Sequence, residues 1–485
     1  MKTTYKLGPV VALALLAGAC DEGLTELNKN PNAPEAVTPQ LLFPQGTVAA
    51  VGLIRGADFD MTFTSLWAQH FAKIQYTEED RYAIRVDAIN GWFRNLYSGP
   101  LQDFRATIQQ AETLKQPALT GPALVMKSWT FGAMTDTWGD IPYSEANRGT
   151  DAEINITPKY DAQKDIYAGI LRDLTQANQV LTGVTTVYAG ADPIYGGTGN
   201  AVKWQRFANS LRMRYAMRMS KADPAGARTA FVAAFGAGPM MSVADNATLT
   251  WTGDVRANEN PIFNNNRTRD DHRVSETLVK TLGAEGLRDP RLAVYAQKTA
   301  DTDAYVGVPN GLTSSAATGL GLTKTSKIGT FFSSQKSPSF LMTYAEVAFL
   351  KAEAAEKGWI AGSAAEFYRD GIRASMQTVG ITGASVDAYL AQSAVQYRGG
   401  TAGLNQIYQQ KWIALFGQGV EAWSEYRRTG VPALPLAKSP VAGVTAIPRR
   451  LTYPTTEFTF NGTNVTAAVA AMGGDQLSTR VWWDK

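Results

Sequence analysis

Two consecutive stretches, 341–358 and 364–379, constrain the fold of this chain more than any other feature. In the first, apolar residues fall at Leu341, Tyr344, Ala348, Ala352, Ala355 and Trp359, in steps of three and four. That is the period of an α-helix with one buried face; Glu346, Glu353, Glu356 and Lys357 fall mostly elsewhere. Gly358 and the Ala361-Gly362-Ser363 turn end this helix, and Ser363 can cap the next. The second stretch repeats the pattern at Ala364, Phe367/Tyr368, Ile372, Met376 and Val379. Small alanines in the first helix let the second lie close. One such hairpin cannot bury its apolar face alone, so other helices must stack on it.

The hairpin follows the grammar of a tetratricopeptide-type repeat, with its consensus partly met. The expected fold is mainly α: about four such helix pairs forming a scaffold, with long irregular loops and a few short strands. Helical patterns recur at 62–73, 92–114 (interrupted at Pro100), 122–138, 160–181, 202–221, 224–234, 275–282 and 404–428. The long loops are 182–199, 254–272 and 301–338, and loops of that length without periodicity are usually functional. The stretch 247–252 alternates enough for one strand, and 448–460 reads as extended. No linker divides the chain, so 45–485 is expected to be a single ligand-binding domain.

The N-terminus follows a different logic. Lys2 and Lys6 precede an apolar run from Leu7 to Leu16, then Ala17-Gly18-Ala19-Cys20. A basic start, a short apolar middle and small residues before a cut site make a secretory signal, expected here as residues 1–19. The sole cysteine follows directly, a pattern that resembles a bacterial lipoprotein signal with Cys20 as the lipidated first mature residue. Asp21-Glu22 resembles the acidic signal that sends some lipoproteins to the outer face of the outer membrane. Residues 20–44, rich in Asn and Pro, are expected to form an extended tether. No other run approaches the roughly 20 apolar residues of a membrane span, so the body should hang from an acyl anchor.

Composition excludes several functions. Without Lys2 and Lys6, 44 basic residues face 43 acidic ones, which gives no electrostatic footprint for nucleic acid. Two histidines, His70 and His272, leave no material for a His-rich metal site, and no phosphate loop, nucleophile elbow or zinc pattern is present. No catalytic group and no cofactor is expected. The chain carries 11 Trp, 19 Tyr and 19 Phe, and aromatics beyond core needs point to a binding surface.

Trp67, Phe71, Tyr76, Tyr82, Trp92 and Tyr97 cluster in sequence. Aromatic faces stack on sugar rings and also grip peptide side chains. Phe71 and Tyr97 read as core filling; Trp67, Tyr76, Tyr82 and Trp92 are candidates for ligand contact, with core filling the alternative for each. The densest polar loop holds Asn258-Glu259-Asn260-Pro261 and Arg267-Thr268-Arg269-Asp270-Asp271-His272. Here Asn260, Arg267, Arg269 and Asp270 can bond vicinal hydroxyls or a peptide backbone, or the loop is simply held by its own salt bridges. Asp136 and Asp140 read as bracing the turn after a helix, and Glu421, Arg427 and Arg428 as a salt-bridged helix face.

A set of strings runs in order through the chain. They include Asn30-Pro31-Asn32-Ala33-Pro34, Asn95-Leu96-Tyr97-Ser98-Gly99-Pro100-Leu101, Thr135-Asp136-Thr137-Trp138-Gly139-Asp140-Ile141-Pro142-Tyr143 and Asp192-Pro193-Ile194-Tyr195. Asp289-Pro290-Arg291-Leu292, Glu421-Ala422-Trp423 and the terminal Trp482-Trp483-Asp484-Lys485 follow. Together they resemble SusD/RagB-type nutrient-binding outer-membrane lipoproteins of the SusD-like subgroup. The resemblance implies four tetratricopeptide-like helix pairs and partnership with a SusC-like TonB-dependent transporter, over which the lipoprotein acts as a lid. It implies a nutrient ligand, a glycan or alternatively a peptide, and a location outside the cell on the outer membrane. A lipid-anchored glycoside hydrolase is the enzymatic alternative.

Overall fold

The computed structural model describes residues 37–149, 154–283 and 287–485. The expected signal, Cys20 and the tether up to residue 36 lie outside them. Among the described residues, twelve helices reach eleven residues or more. They are α1 Pro39–Ile54, α2 Val86–Leu96, α3 Gln102–Thr113, α4 Pro117–Trp138, α5 Gln163–Val180 and α6 Ala201–Arg218. Then come α7 Pro224–Gly236, α8 Tyr344–Glu356, α9 Ala364–Thr378, α10 Gly400–Ala414, α11 Gly419–Thr429 and α12 Gly462–Met472. The most closely packed pairs are α8 with α9, α4 with α5, α6 with α7, α3 with α4, α5 with α6 and α1 with α3, so consecutive helices stack on both neighbours.

The opening hairpin is α8–α9. Ser363 Oγ accepts from Glu366 N at 3.3 Å, and Gly358 closes α8 with φ +66°. Ala348 and Ala352 are buried as expected, Ala355 and Tyr344 only partly, and Ala345, outside the expected face, is buried as well. The closest approach comes from the other helix: a Cβ on Gly371 would stand 2.6 Å from the Phe349 ring. Other close approaches use the same device: a Cβ on Gly46 in α1 would stand 2.9 Å from Asp103 of α3. A Cβ on Gly132 in α4 would meet Tyr215 of α6, and one on Gly169 in α5 would meet Tyr143.

Several expected boundaries move, each time because a distant partner outweighs local pattern. Leu341 belongs to strand β4, Pro338–Met342, which pairs antiparallel with β2, Ala247–Thr250. Residues 39–44, expected in the tether, begin α1: Pro39 fits the first turn, where no amide is needed, and Phe43 is buried. The helix expected over 62–73 is a π-helical segment at Ala57–Thr64, one α-turn at Ser65–Trp67, and strand β1 at Phe71–Lys73. Gln69, at φ +55°, breaks the helix, and β1 pairs with β3, His272–Val274, about two hundred residues away. Gly417, at φ +76°, splits the helix expected over 404–428 into α10 and α11. Residues 455–460, expected to be extended, form a short helix.

Charges bind the scaffold from within. Arg214 of α6 bonds Glu346 of α8 at 2.6 Å and Glu421 of α11 at 3.1 Å. Arg218 bridges Asp136 of α4 to Glu421. Arg428 holds Glu353 at 2.6 Å, and Lys411 reaches Glu425 at 3.0 Å. Of the residues expected on a salt-bridged helix face, Arg428 does pair with Glu425 one turn back in its own helix as well as with Glu353. Glu421 pairs only with other helices, and Arg427 donates to the Asp136 and Arg449 carbonyls; all three are buried. Asp136 does not brace the turn, because Arg218, Tyr167 and Trp483 all converge on it. Asp140 does, accepting from Gln163 N at 2.8 Å.

Burial opposes a charge on Glu421, but Arg214 and Arg218 outweigh it and bring the carboxyl down to about 2. Glu425 moves the same way: Arg428 and Lys411 overcome its burial. Folded values below the ordinary one contribute stability above about pH 4.5 that is lost as the pH falls through the folded values. Burial also keeps His70 neutral down to about 3, so charging it in the unfolded chain favours unfolding on acidification. A plot of Tm against pH by circular dichroism is expected to decline from about pH 6.5, where His70 begins to charge in the unfolded chain, and more steeply below about pH 4.5. Upward-shifted buried carboxyls such as Asp136 and Asp80 oppose the decline, so the coupling is read from the difference between wild type and Glu425→Gln: identical pH profiles for the two would rule it out.

Candidate functional site

A large cavity lies where α1 ends and α2 begins. Its volume is about 550 Å³. Gly52 and Gly56 form part of its floor, and Asp87, Ala88, Gly91, Trp92 and Asn95 present one face of α2 to it. Those positions recur at three and four, so a single helix face lines the wall. The opposite wall is Trp251, just past β2, with Arg256, Asn264, Asn265, Thr268 and Arg269 from the long loop.

A second lobe of about 300 Å³ shares Ala57, Asn265 and Arg269 with the first. Tyr76, Glu78 and Arg85 stand on its rim, with Lys73 and His272, end residues of β1 and β3, also lining it. Arg269 occupies the joint between the lobes. Its guanidinium lies 4.9 Å from the Tyr76 ring centroid and 3.2 Å from Asp271. Tyr76 is 61% exposed and held at φ +52°, so its ring stands out from the surface.

Of the residues singled out from the sequence, the structure brings Trp92, Tyr76 and Arg269 to this groove. Trp92 contributes only an edge; it is buried against Phe59 at 4.5 Å and Phe63 at 5.3 Å. Trp67 is core: it meets Trp423 at 5.2 Å, and its Nε1 donates to the Glu79 carbonyl. Tyr82 is buried too, its hydroxyl accepting from Ala437 N at 2.9 Å. Neither ring offers a face to a ligand, because each was drawn inward by a partner remote in sequence.

Asn260 is likewise structural. Its Oδ1 accepts from Ile262 N and Phe263 N, capping the helix Pro261–Asn266, and its Nδ2 donates to the Ser337 carbonyl. Arg267 forms a two-point pair with Glu259 and lies over Phe263. Asp270 bonds Arg273 at 2.9 Å and Lys327 at 3.1 Å. The loop's own ion pairs therefore consume Arg267 and Asp270, and neither lines the groove.

Residues that sequence reasoning passed over do line it: Asp87, Asn95, Trp251, Arg256, Asn264 and Asn265. The Asn264-Asn265-Asn266 run was the available signal. Arg256 Nε donates to Asn264 Oδ1 at 3.0 Å, which fixes both heads at the rim. In the first lobe Asp87 and Glu259 balance Arg256 and Arg269 in formal charge. A charge-balanced wall of amides, hydroxyl and paired ions, with tryptophan edges beneath, suits a hydroxyl-rich uncharged ligand. Among the described residues, no group of three or more His, Cys, Asp or Glu is placed to hold a metal ion.

The fold is shared with solved structures. A chitin-binding protein superposes with a TM-score of 0.81 at 28% identity, over 92% of this chain and 100% of its own. A SusD homologue from Bacteroides uniformis gives 0.81 at 28% identity, covering 92% of this chain and 98% of its own. A chitin-binding SusD homologue from Flavobacterium johnsoniae gives 0.80 at 27%, over 92% and 98%. No curated protein sequence matches the chain. Among the described residues no helix is long and apolar enough to cross a membrane. The model of the SusD-like family, described as starch-binding and associating with the outer membrane, matches residues 31–454, and the chain belongs to that family.

Proposed function

We propose that this protein captures an uncharged glycan in the groove between α2 and the 254–272 loop and delivers it, unaltered, to a SusC-like TonB-dependent transporter. The observation that carries the reading is the groove itself: charge-balanced, rich in amides, and flanked by the exposed Tyr76–Arg269 pair. Its walls are held by the scaffold before any ligand arrives, so binding loses little entropy. A lipid on Cys20 would keep the protein beside its transporter and raise the effective concentration of one for the other. Chitin-binding relatives and the family's starch-binding description support a glycan over a peptide.

The test is calorimetric titration of the soluble form, beginning at Asp21, with malto- and chito-oligosaccharides. Tyr76→Ala and Arg269→Ala are each expected to weaken binding about tenfold, the scale of one stacking or charge-assisted contact. Both side chains are at the surface, so stability should move by less than about 0.5 kcal/mol. Wild-type affinity in both variants would overturn the site. Appearance of new reducing ends during incubation would overturn the statement that the ligand leaves unaltered.

A further inference from the structure

Helix α2 separates two cavities. Asp87, Gly91 and Asn95, one turn apart, face the groove already described. On its other flank Asn90, Phe93 and Arg94, with Tyr97 and Ser98 just beyond its end, wall a second cavity of about 390 Å³. Phe460 and Glu457 of the short helix Thr455–Phe460 form the far side, with Ile156 and Pro158.

This second cavity is preformed. Asn90 and Thr455 exchange hydrogen bonds at 2.9 and 3.0 Å, which ties α2 to the far wall. Tyr160 donates to Glu457 at 2.6 Å, and Asn461 donates to the Pro158 carbonyl at 2.7 Å. Yet its rim leaves apolar groups in water: Phe460 is 74% exposed and Ile156 79% exposed. An exposed ring and a branched aliphatic facing guanidinium and hydroxyl groups make a surface with one apolar and one polar side. That pairing matches a pyranose, which has an apolar face and polar edges.

Gly91 supplies the second, independent observation. Four glycines inside scaffold helices have packing reasons, since a Cβ would strike Leu181 at Gly121, Tyr215 at Gly132, Tyr143 at Gly169 and Phe349 at Gly371, whereas at Gly52 of α1, which also lines the groove, it would meet Trp251 only at an ordinary 3.6 Å. At Gly91, in the middle of α2, a Cβ would meet nothing within 4 Å. A glycine there costs the helix roughly 0.5–1 kcal/mol relative to alanine, with no intramolecular contact to offset it. What it does provide is a low saddle on the ridge between the two cavities.

We propose that a glycan chain longer than the groove crosses α2 at Gly91 and seats its next units in the second cavity, with Phe460 and Ile156 beneath the sugar face. This rests on the reading that the groove takes a glycan. A helix is about 10 Å across, so the crossing requires a chain several sugar units longer than one that fills the groove alone. The two cavities then act as linked sites, and the second adds affinity only to ligands that reach it.

The experiment is a chain-length series, dimers to octamers of α- and β-linked glucan, chitin, xylan and mannan, titrated into the soluble full-length mature protein. Octamers of the preferred type should bind about tenfold tighter than trimers. Phe460→Ala and Ile156→Ser should remove that gain while leaving trimer affinity unchanged, since neither residue lines the groove. Gly91→Gln, a good helix former, should lower octamer affinity without lowering Tm. Equal affinity for trimer and octamer, or an octamer gain that survives Phe460→Ala, overturns the second site. Failure of every oligomer to bind overturns the glycan reading itself.

Discussion

Glu421→Ala is expected to remove about 3–5 kcal/mol of stability, because it leaves two buried guanidinium groups facing one another without their shared carboxylate. Arg214 and Arg218 both bond Glu421, and all three side chains are sealed from water. Arg218 keeps Asp136, and Arg214 keeps Glu346, so the loss falls on the hydrogen bonds and on charge balance together. In a domain that stands only about 5–15 kcal/mol above its unfolded state, this is a large fraction. Because the unfolding entropy of so long a chain is large, Tm should drop by only about 3–5 °C, and a guanidinium titration is the more sensitive measurement. A midpoint indistinguishable from wild type would mean that the carboxylate is not holding α4, α6 and α11 together.

Trp67→Ala is expected to cost about 3–5 kcal/mol as well, by a different route. The ring is 1% exposed and packs edge-on against Trp423 and Phe63 at 5.2 and 5.4 Å. Its removal opens a cavity where the α11 core meets the Ser65–Trp67 turn, and the Glu79 carbonyl loses its donor. Folded Trp67→Ala protein should still bind oligosaccharide with wild-type affinity. The contrast with Tyr76→Ala is the point of the pair: a buried indole and an exposed phenol, nine positions apart, should separate stability from binding. Selective loss of ligand affinity in Trp67→Ala, with the melting curve intact, would reverse that assignment.

The candidate site is legible in the sequence where side-chain chemistry agrees with exposure. Tyr76, set in polar, turn-like sequence, does stand in solvent, and Arg269 packs against it. Legibility failed where a residue's role depends on what comes to meet it. Tyr82 sits in similar sequence but is drawn under the backbone of residue 437. Asn260 has the chemistry of a sugar-binding amide, yet it caps the helix one residue later. Trp251 reads as the end of a strand; only the approach of its ring to Gly52 of α1, 3.6 Å from where a Cβ there would stand, puts it in the groove.

From residues alone, the α8–α9 hairpin, the need for further stacked helices and the absence of metal-binding or catalytic motifs could be read, because helical periodicity, capping and side-chain chemistry are local properties. The tertiary structure alone decided which aromatic rings are core and which meet solvent, which carboxylates pair with which guanidinium groups, and that β1 is a strand at all. Those outcomes depend on partners one hundred to more than three hundred residues away, such as Trp423 for Trp67 and Glu346 for Arg214. Burial and ion pairing are properties of the assembled neighbourhood, and no window along the chain contains it.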